Sequence, residues 1–228
     1  MENQHHDLMR RQMVAEIVAD AVFLTAQLGK SAFGAGVIEV MGKIPRHEFV
    51  PLELQAYAYL NSPLPVGYGK TISQPFIVAL MTDLLQLKPD DVTLEVGAGV
   101  GYQAAILSHL VDRVYSIEII EELALDTRRR LQRLGYSNIE IGVGNGYYGW
   151  SKHAPFDKIV VTAAPDLIPP PLLGQLKPGG KMVIPTGIPD KQQLMLVEKS
   201  MDGRLATREV LPVRFSELEE GGDFAGAA

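Results

Sequence analysis

The chain has 228 residues, 46% of them hydrophobic and 21% charged, with a net charge of −6, a pI of about 5.4 and a mean hydropathy of +0.07. That length holds one full α/β domain with an appendage, and an acidic balance without a basic stripe argues against a protein built to grip nucleic acid. No cysteine is present, which excludes disulfides, thiolate metal sites and a cysteine nucleophile.

The start, MENQHHDLMRRQ, is polar and lacks the apolar core of a signal peptide, and no apolar run nears the roughly 18 residues of a membrane span. A cytoplasmic setting without a membrane partner is therefore expected. Residues 7–29 then carry apolar side chains at helical spacing (Leu8, Met13, Ile17, Val18, Ala21, Val22, Leu24, Leu28) and end at Gly29. A second helical piece runs from Val37 to Met41. Residues 61–75 are rich in proline and glycine and read as a long ordered loop, a place where function often sits. A helix follows from Phe76, closed by Lys88-Pro89.

Strands and helices alternate after that. Strands are expected at Val92–Val96, Arg113–Ile117, Asn138–Val143, Phe156–Thr162 and Gly180–Pro185, with helices near 102–111, 121–134 and 169–176. This alternation predicts a doubly wound, mostly parallel α/β sheet with helices on both faces. Gln193–Lys199 and Leu205–Phe215 are consecutive strands joined at Asp202-Gly203, so a seven-stranded sheet should finish antiparallel. Three segments result: N-terminal helices with a loop over 1–75, a sheet domain over 76–216, and a disordered acidic and Gly/Ala-rich tail over 217–228.

The most informative stretch is Leu94-Glu95-Val96-Gly97-Ala98-Gly99-Val100-Gly101-Tyr102, an apolar strand running through three glycines into a helix. Such a turn lets a ligand approach bare backbone at a helix N-terminus. The dinucleotide fingerprint G-x-G-x-x-G would place its third glycine where this chain has Tyr102. Here the third glycine is Gly101, one residue early, which is the spacing of S-adenosylmethionine sites. Glu118 follows about 20 residues after the loop, where an acid can accept both ribose hydroxyls. Gly144-Asn145-Gly146 closes the third strand as a tight turn, and the Asn145 oxygen can also accept from an adenine amino group; the two readings can hold together. Val161-Thr162-Ala163-Ala164-Pro165 ends the fourth strand with small residues that leave room for a ligand.

Other features read more plainly. In Thr71-Ile72-Ser73-Gln74-Pro75, Ser73 is a good helix N-cap with Pro75 in the first turn. The cluster Arg128-Arg129-Arg130 with Arg133 reads as a solvated helix face with i,i+4 ion pairs. The five histidines lack metal-ligand spacing, so no metal is expected.

With these residues assembled, the chain resembles protein-L-isoaspartate O-methyltransferases from about Ile38 to Phe215. The matching segments include Ile44-Pro45-Arg46 with Phe49-Val50-Pro51, Pro63-Leu64-Pro65-Val66-Gly67, Thr71-Ile72-Ser73-Gln74-Pro75, Leu94-Glu95-Val96-Gly97 through Tyr102, Ile117-Glu118, Gly149-Trp150 and Val213-Arg214-Phe215. The Thr71–Pro75 segment is the most specific, because ordinary methyltransferases lack it.

The resemblance implies methyl transfer from S-adenosylmethionine to the free α-carboxylate of L-isoaspartyl residues in damaged proteins. The ester then collapses to a succinimide, which begins repair. It assigns Ser73 to the active site with Thr71 beside it, and gives the cofactor to Glu95, Gly97, Gly99, Gly101, Tyr102, Glu118, Asn145 and Gly146. An α-carboxylate with a pKa of roughly 3.5 is already ionised at neutral pH, so the site needs alignment and dryness rather than a base.

The chain departs from the family pattern twice. Asn145 stands where the family usually has Asp, and the segment up to about Gly36 does not match the short family N-terminus. Two other readings stay open at this level: a methyltransferase dedicated to another protein or peptide carboxylate, and a cofactor-binding module without turnover.

Overall fold

The computed structural model describes residues 2–219. The first helical pattern forms α1 (Glu2–Phe23) and α2 (Thr25–Leu28), with a break at Leu24 and Gly29 closing α2 at φ 70°. One ridge of α1 is fully buried, the i, i+4, i+8 row Met13, Ile17 and Ala21, with Met9 and Val14 partly buried against the same core. Val18 and Val22, expected on the apolar face, are 41% and 56% exposed, because α1 has mainly one helix to pack against. That helix is α4 (Pro75–Leu84), which α3 (Ala35–Met41) also touches.

The loop over 61–75 contains structure that its composition did not announce. β1 (Leu64–Gly67) and β2 (Lys70–Ile72) form an antiparallel hairpin. Its turn residues Tyr68 and Gly69 have φ of 54° and 68°, the pair of left-handed positions that tight hairpins need. A tyrosine rarely accepts that conformation, so the turn left little trace in the residue types.

The alternating segment forms β3 (Val92–Val96), α5 (Tyr102–Ser108), β4 (Arg113–Glu118), α6 (Glu121–Arg133), β5 (Ile139–Val143), β6 (Phe156–Val161), α7 (Pro170–Gln175), β7 (Leu176–Thr186), β8 (Gln192–Lys199) and β9 (Leu205–Val213). The seven-stranded sheet has the order β5-β4-β3-β6-β7-β8-β9. β3, β4, β5, β6 and β7 run parallel; β8 pairs antiparallel with β7, and β9 with β8. The expected doubly wound sheet with an antiparallel finish is present.

The chain leaves β3 toward β4 and β5, then returns to the other side of β3 as β6. The strand order therefore reverses between β3 and β6, the place where open α/β sheets bind ligands beyond the strand ends. Strand residues alternate between two cores. Leu94, Val96, Ile117, Ile159 and Val161 face the side covered by α7, while Val114, Val160 and Val183 face the side covered by α1, α3, α4 and α5. By this period of two, Glu95 and Ser116 point into the second, larger core.

The chain's last described residues are seated rather than loose. Glu217 bridges to Ala164, the Leu218 N–H donates to the Ala164 carbonyl at 2.9 Å, and Glu219 pairs with Lys70. The expectation of disorder from 217 onward thus fails for 217–219, because strand-like pairing and one ion pair hold them. Residues 220–228 lie outside the described residues. No described helix is long and apolar enough to cross a membrane.

Candidate functional site

The ends of β3, β4 and β6 open into a cavity of about 790 Å³. At its deep end lies the glycine loop. Gly97, Gly99 and Gly101 all have positive φ, at 92°, 52° and 87°. A Cβ on Gly97 would sit 2.6 Å from Thr162 Oγ1, so this position is closed to larger residues by space as well as conformation. A Cβ on Gly99 would meet nothing within 4 Å: this glycine presents bare backbone to the cavity.

The loop's carbonyls are held one by one. Thr162 Oγ1 donates to Gly97 O at 2.6 Å and to Val96 O at 3.1 Å. Thr127 Oγ1 donates to Gly99 O at 2.6 Å, and Arg130 donates to Val100 O at 3.0 Å. The arginine cluster on α6 is therefore more than a solvated face. Arg130 clamps the loop, Arg128 donates to Ile141 O at 2.7 Å, and Arg133 reaches Glu48. Only Arg129 makes a short-range pair, with Asp126 at i,i+3 instead of the expected i,i+4.

Glu118 closes β4 and is 5% exposed. Its Oε2 accepts from the Gly99 N–H at 2.8 Å and its Oε1 from the Ile120 N–H at 3.1 Å, which aims the carboxylate across the loop. Glu95 lies beside it, fully buried, with Oε2 accepting from the Ser116 hydroxyl. Its Oε1 has no hydrogen-bond partner. Burial pushes the Glu95 carboxyl up to about 8 and the Glu118 carboxylate pushes the same way, while the Ser116 hydroxyl and the Ala104 amide push back.

Two carboxyl groups and an unpaired buried oxygen suit a cationic ligand carrying hydroxyls. S-adenosylmethionine meets that description: Glu118 fits its ribose, the bare backbone at Gly99 fits close approach, and Glu95 fits its positive end.

Gly146 lines the cavity, packed so close to β3 that a Cβ there would meet Val96 at 2.4 Å. Asn145 stands behind it, 8% exposed, with its Oδ1 accepting from the Tyr147 N–H at 2.9 Å as the cap of a short 3-10 turn. The turn reading of Gly144-Asn145-Gly146 is seen in this contact.

Tyr102, the first residue of α5, is 2% exposed and lines the cavity. Burial raises its phenol to about 12. Its ring meets Phe49 edge-on at 5.4 Å and carries the Arg46 guanidinium on its face, 4.7 Å from the centroid.

The outer half of the cavity is walled by Thr71, Ser73 and Gln74, by Asp20, Phe23 and Leu24, and by residues 211–219. Ser73 does not cap α4. The N-cap position belongs to Gln74, which makes no side-chain cap bond, and the Phe76 N–H is taken instead by Asn61 Oδ1 at 3.0 Å. Asn61 in turn donates to Asp20 at 2.8 Å. With the cap supplied from elsewhere, the Ser73 and Thr71 hydroxyls make no hydrogen bond among the described residues.

The Ser73 backbone is pinned by a residue that sequence reasoning placed only in a family motif. Arg46 is fully buried and donates to Ser73 O and to Ala58 O, each at 2.8 Å, with Nη1 left without an acceptor. Its burial works against its charge, and the Tyr102 ring offsets part of that. No histidine lines the cavity among the described residues.

Residues 24–222 match the family model for protein-L-isoaspartate(D-aspartate) O-methyltransferase. The chain is 59% identical over 220 residues to protein-L-isoaspartate O-methyltransferase 1 of Polaromonas sp. (strain JS666 / ATCC BAA-500), covering 96% of this chain and 93% of the relative. A solved protein-L-isoaspartate O-methyltransferase structure superposes with a TM-score of 0.79 at 29% identity, over 93% of this chain and 66% of the other. A Plasmodium falciparum protein solved with S-adenosyl-L-homocysteine shares the fold at 20% identity, with a TM-score of 0.75 over 95% and 99% of the two chains.

Proposed function

This chain belongs to the protein-L-isoaspartate(D-aspartate) O-methyltransferase family, and on that premise we propose how its own residues perform the reaction. It is an S-adenosylmethionine-dependent methyltransferase acting on the free α-carboxylate of L-isoaspartyl residues, the step that begins repair through a succinimide. When bound, the cofactor supplies an electrophilic methyl group on a sulfonium.

The observation that carries the assignment of roles is the continuity of one cavity from Glu118 and the glycine loop to the unengaged hydroxyls of Ser73 and Thr71. Glu118, the loop backbone and Gly146 hold the cofactor, with Glu95 facing its positive charge and Asn145 supporting Gly146 from behind. Ser73 donates a hydrogen bond to the acceptor carboxylate and orients it, and Thr71 assists. Neither acts as a nucleophile or a base. The acceptor is already an anion at neutral pH, which agrees with a cavity lined by no histidine. Tyr102, Phe76 and Ile77 contribute apolar wall that excludes water. Arg46 positions Ser73 through its carbonyl.

Polypeptide substrates in a cytoplasmic setting, with neither nucleic acid nor membrane as partner, belong to the same proposal. The net charge of −6 and the cysteine-free chain support it.

The direct test is transfer of labelled methyl to a short isoaspartyl peptide, with the normal aspartyl peptide as control. Transfer to the isoaspartyl peptide alone is expected. Cofactor binding without transfer to any isoaspartyl peptide would overturn the reading.

A further inference from the structure

The α1–α2 elbow is placed where a substrate must pass. Asp20, Phe23 and Leu24 line the mouth of the cavity opposite residues 211–213, and α2 packs against β9 beneath them. Phe23 is 86% exposed, a whole aromatic ring turned to solvent at the rim of an otherwise buried site.

The elbow is firmly seated. Asp20 is joined through Asn61 to the Phe76 N–H, three residues past Ser73, so its position is fixed relative to the acceptor hydroxyl. Thr25 Oγ1 donates to Val22 O at 2.6 Å and the Gly29 N–H to Thr25 O at 2.9 Å, which fix the bend itself. The match to the family model begins at residue 24, so Asp20 and Phe23 lie outside the part shared with the family at large.

A methyl acceptor inside a polypeptide has chain on both sides, and that chain leaves through this mouth. Most charged side chains there have partners, Asp20 with Asn61, Lys70 with Glu219 and Arg214 with Asp190, while the exposed Glu217 holds only a backbone bridge to Ala164. The exposed apolar surface at the mouth is the Phe23 ring with Pro63 and Pro212. We propose that the elbow is a specificity-determining wall, in which Phe23 packs on the side chain next to the isoaspartyl residue and favours an apolar neighbour. The occupant is the substrate polypeptide itself, because the surface is continuous with the acceptor site. The proposal rests on the isoaspartyl reading above.

The test uses isoaspartyl peptides identical except for Leu or Ser at the positions immediately before and after the damaged residue. The native protein and Phe23→Ala are compared by kcat/KM, with KM and kcat resolved. The native protein is expected to favour Leu at one of the two positions by on the order of tenfold, chiefly in KM. In Phe23→Ala that ratio should collapse toward one, and in Phe23→Leu it should be largely retained. Phe23 is exposed, so these variants should keep the native melting temperature and cofactor affinity.

A Leu-over-Ser ratio that survives in Phe23→Ala, or that is absent from the native protein while isoaspartyl peptides are methylated, would overturn the proposal. Failure of every isoaspartyl peptide to accept methyl would instead overturn the reading beneath it.

Discussion

The two halves of the cavity are built in opposite ways. The cofactor half centres on consecutive residues, Glu95 through Tyr102, in which the carbonyls of Val96, Gly97, Gly99 and Val100 accept from the side chains of Thr162, Thr127 and Arg130. The acceptor half is assembled from the end of α1, from β2 and the loop after it, and from the end of β9 and the segment that follows, and its Ser73 and Thr71 hydroxyls make no hydrogen bond among the described residues. A cradle whose loop is clamped from several sides suits a ligand that is the same in every cycle. An opening with two spare hydroxyls and an exposed aromatic ring at its rim suits acceptors that vary around one constant carboxylate.

That contrast predicts which variants lose binding and which lose turnover. The largest effect is expected from Gly97→Ala. Its φ of 92° strains any Cβ-bearing residue, and the new carbon would collide with Thr162 at 2.6 Å. Cofactor affinity, measured by calorimetry, should fall by about a hundredfold or more. An affinity within about threefold of native would show that the cradle is softer than its hydrogen bonds imply.

Ser73→Ala should behave in the opposite sense. Cofactor affinity stays native, while kcat/KM on an isoaspartyl peptide drops roughly 10- to 100-fold, the range of one hydrogen bond to a charged group. Native turnover in this variant would remove Ser73 from the site.

Glu95 sharpens the comparison, since its buried carboxyl keeps one oxygen without a hydrogen-bond partner. Its carboxyl is held up at about 8, above the ordinary 4.5. Below pH 4.5 both the folded and unfolded forms carry the proton, and folding bears no penalty from this group. As pH rises from about 4.5 to 8 the unfolded chain ionises first, so this group lowers stability progressively across that window and no further above it. Glu95→Gln should erase that component of the pH dependence of Tm.

The cofactor readout runs the other way. A cation beside Glu95 favours its ionised form, so native affinity should rise with pH toward 8. Glu95→Gln should bind more weakly, with no such slope. Identical slopes in the two proteins would mean that Glu95 keeps its proton throughout.

The same division explains what could be read from the chain alone. The parallel sheet, the glycine loop and Glu118 were legible because each is local: period-two strands, three glycines in a row of five residues, an acid at the next strand's end. The hairpin at 64–72 was hidden by a left-handed tyrosine. The roles of Thr127, Thr162 and Arg130 as loop clamps were hidden because each meets the loop only after the sheet folds, from 28, 65 and 30 residues away. Arg46 belonged to a recognisable motif, but nothing in residue type told that its guanidinium would be buried under Ser73. The apolar stripe of α1 was overestimated because periodicity shows which residues share a face, and packing decides how much of that face is covered. Val18, Val22 and Phe23 fall on the uncovered part.

The smallest effect is expected at Asn145, where the family usually carries Asp. Both residues cap a helical turn well, and the cap is the contact the structure shows, from the Tyr147 N–H to Oδ1 at 2.9 Å. An oxygen already engaged there is poorly placed to accept from an adenine amino group, so most of the roughly 1 kcal/mol of such a bond is not at stake. Asn145→Asp should therefore change cofactor affinity by less than about threefold, with the small gain of an acid at an N-cap set against the loss from burying a charge at 8% exposure. A tenfold gain in affinity would show that position 145 reaches the cofactor after all. The boundary between cradle and support would then move outward by one residue, from Gly146 to Asn145.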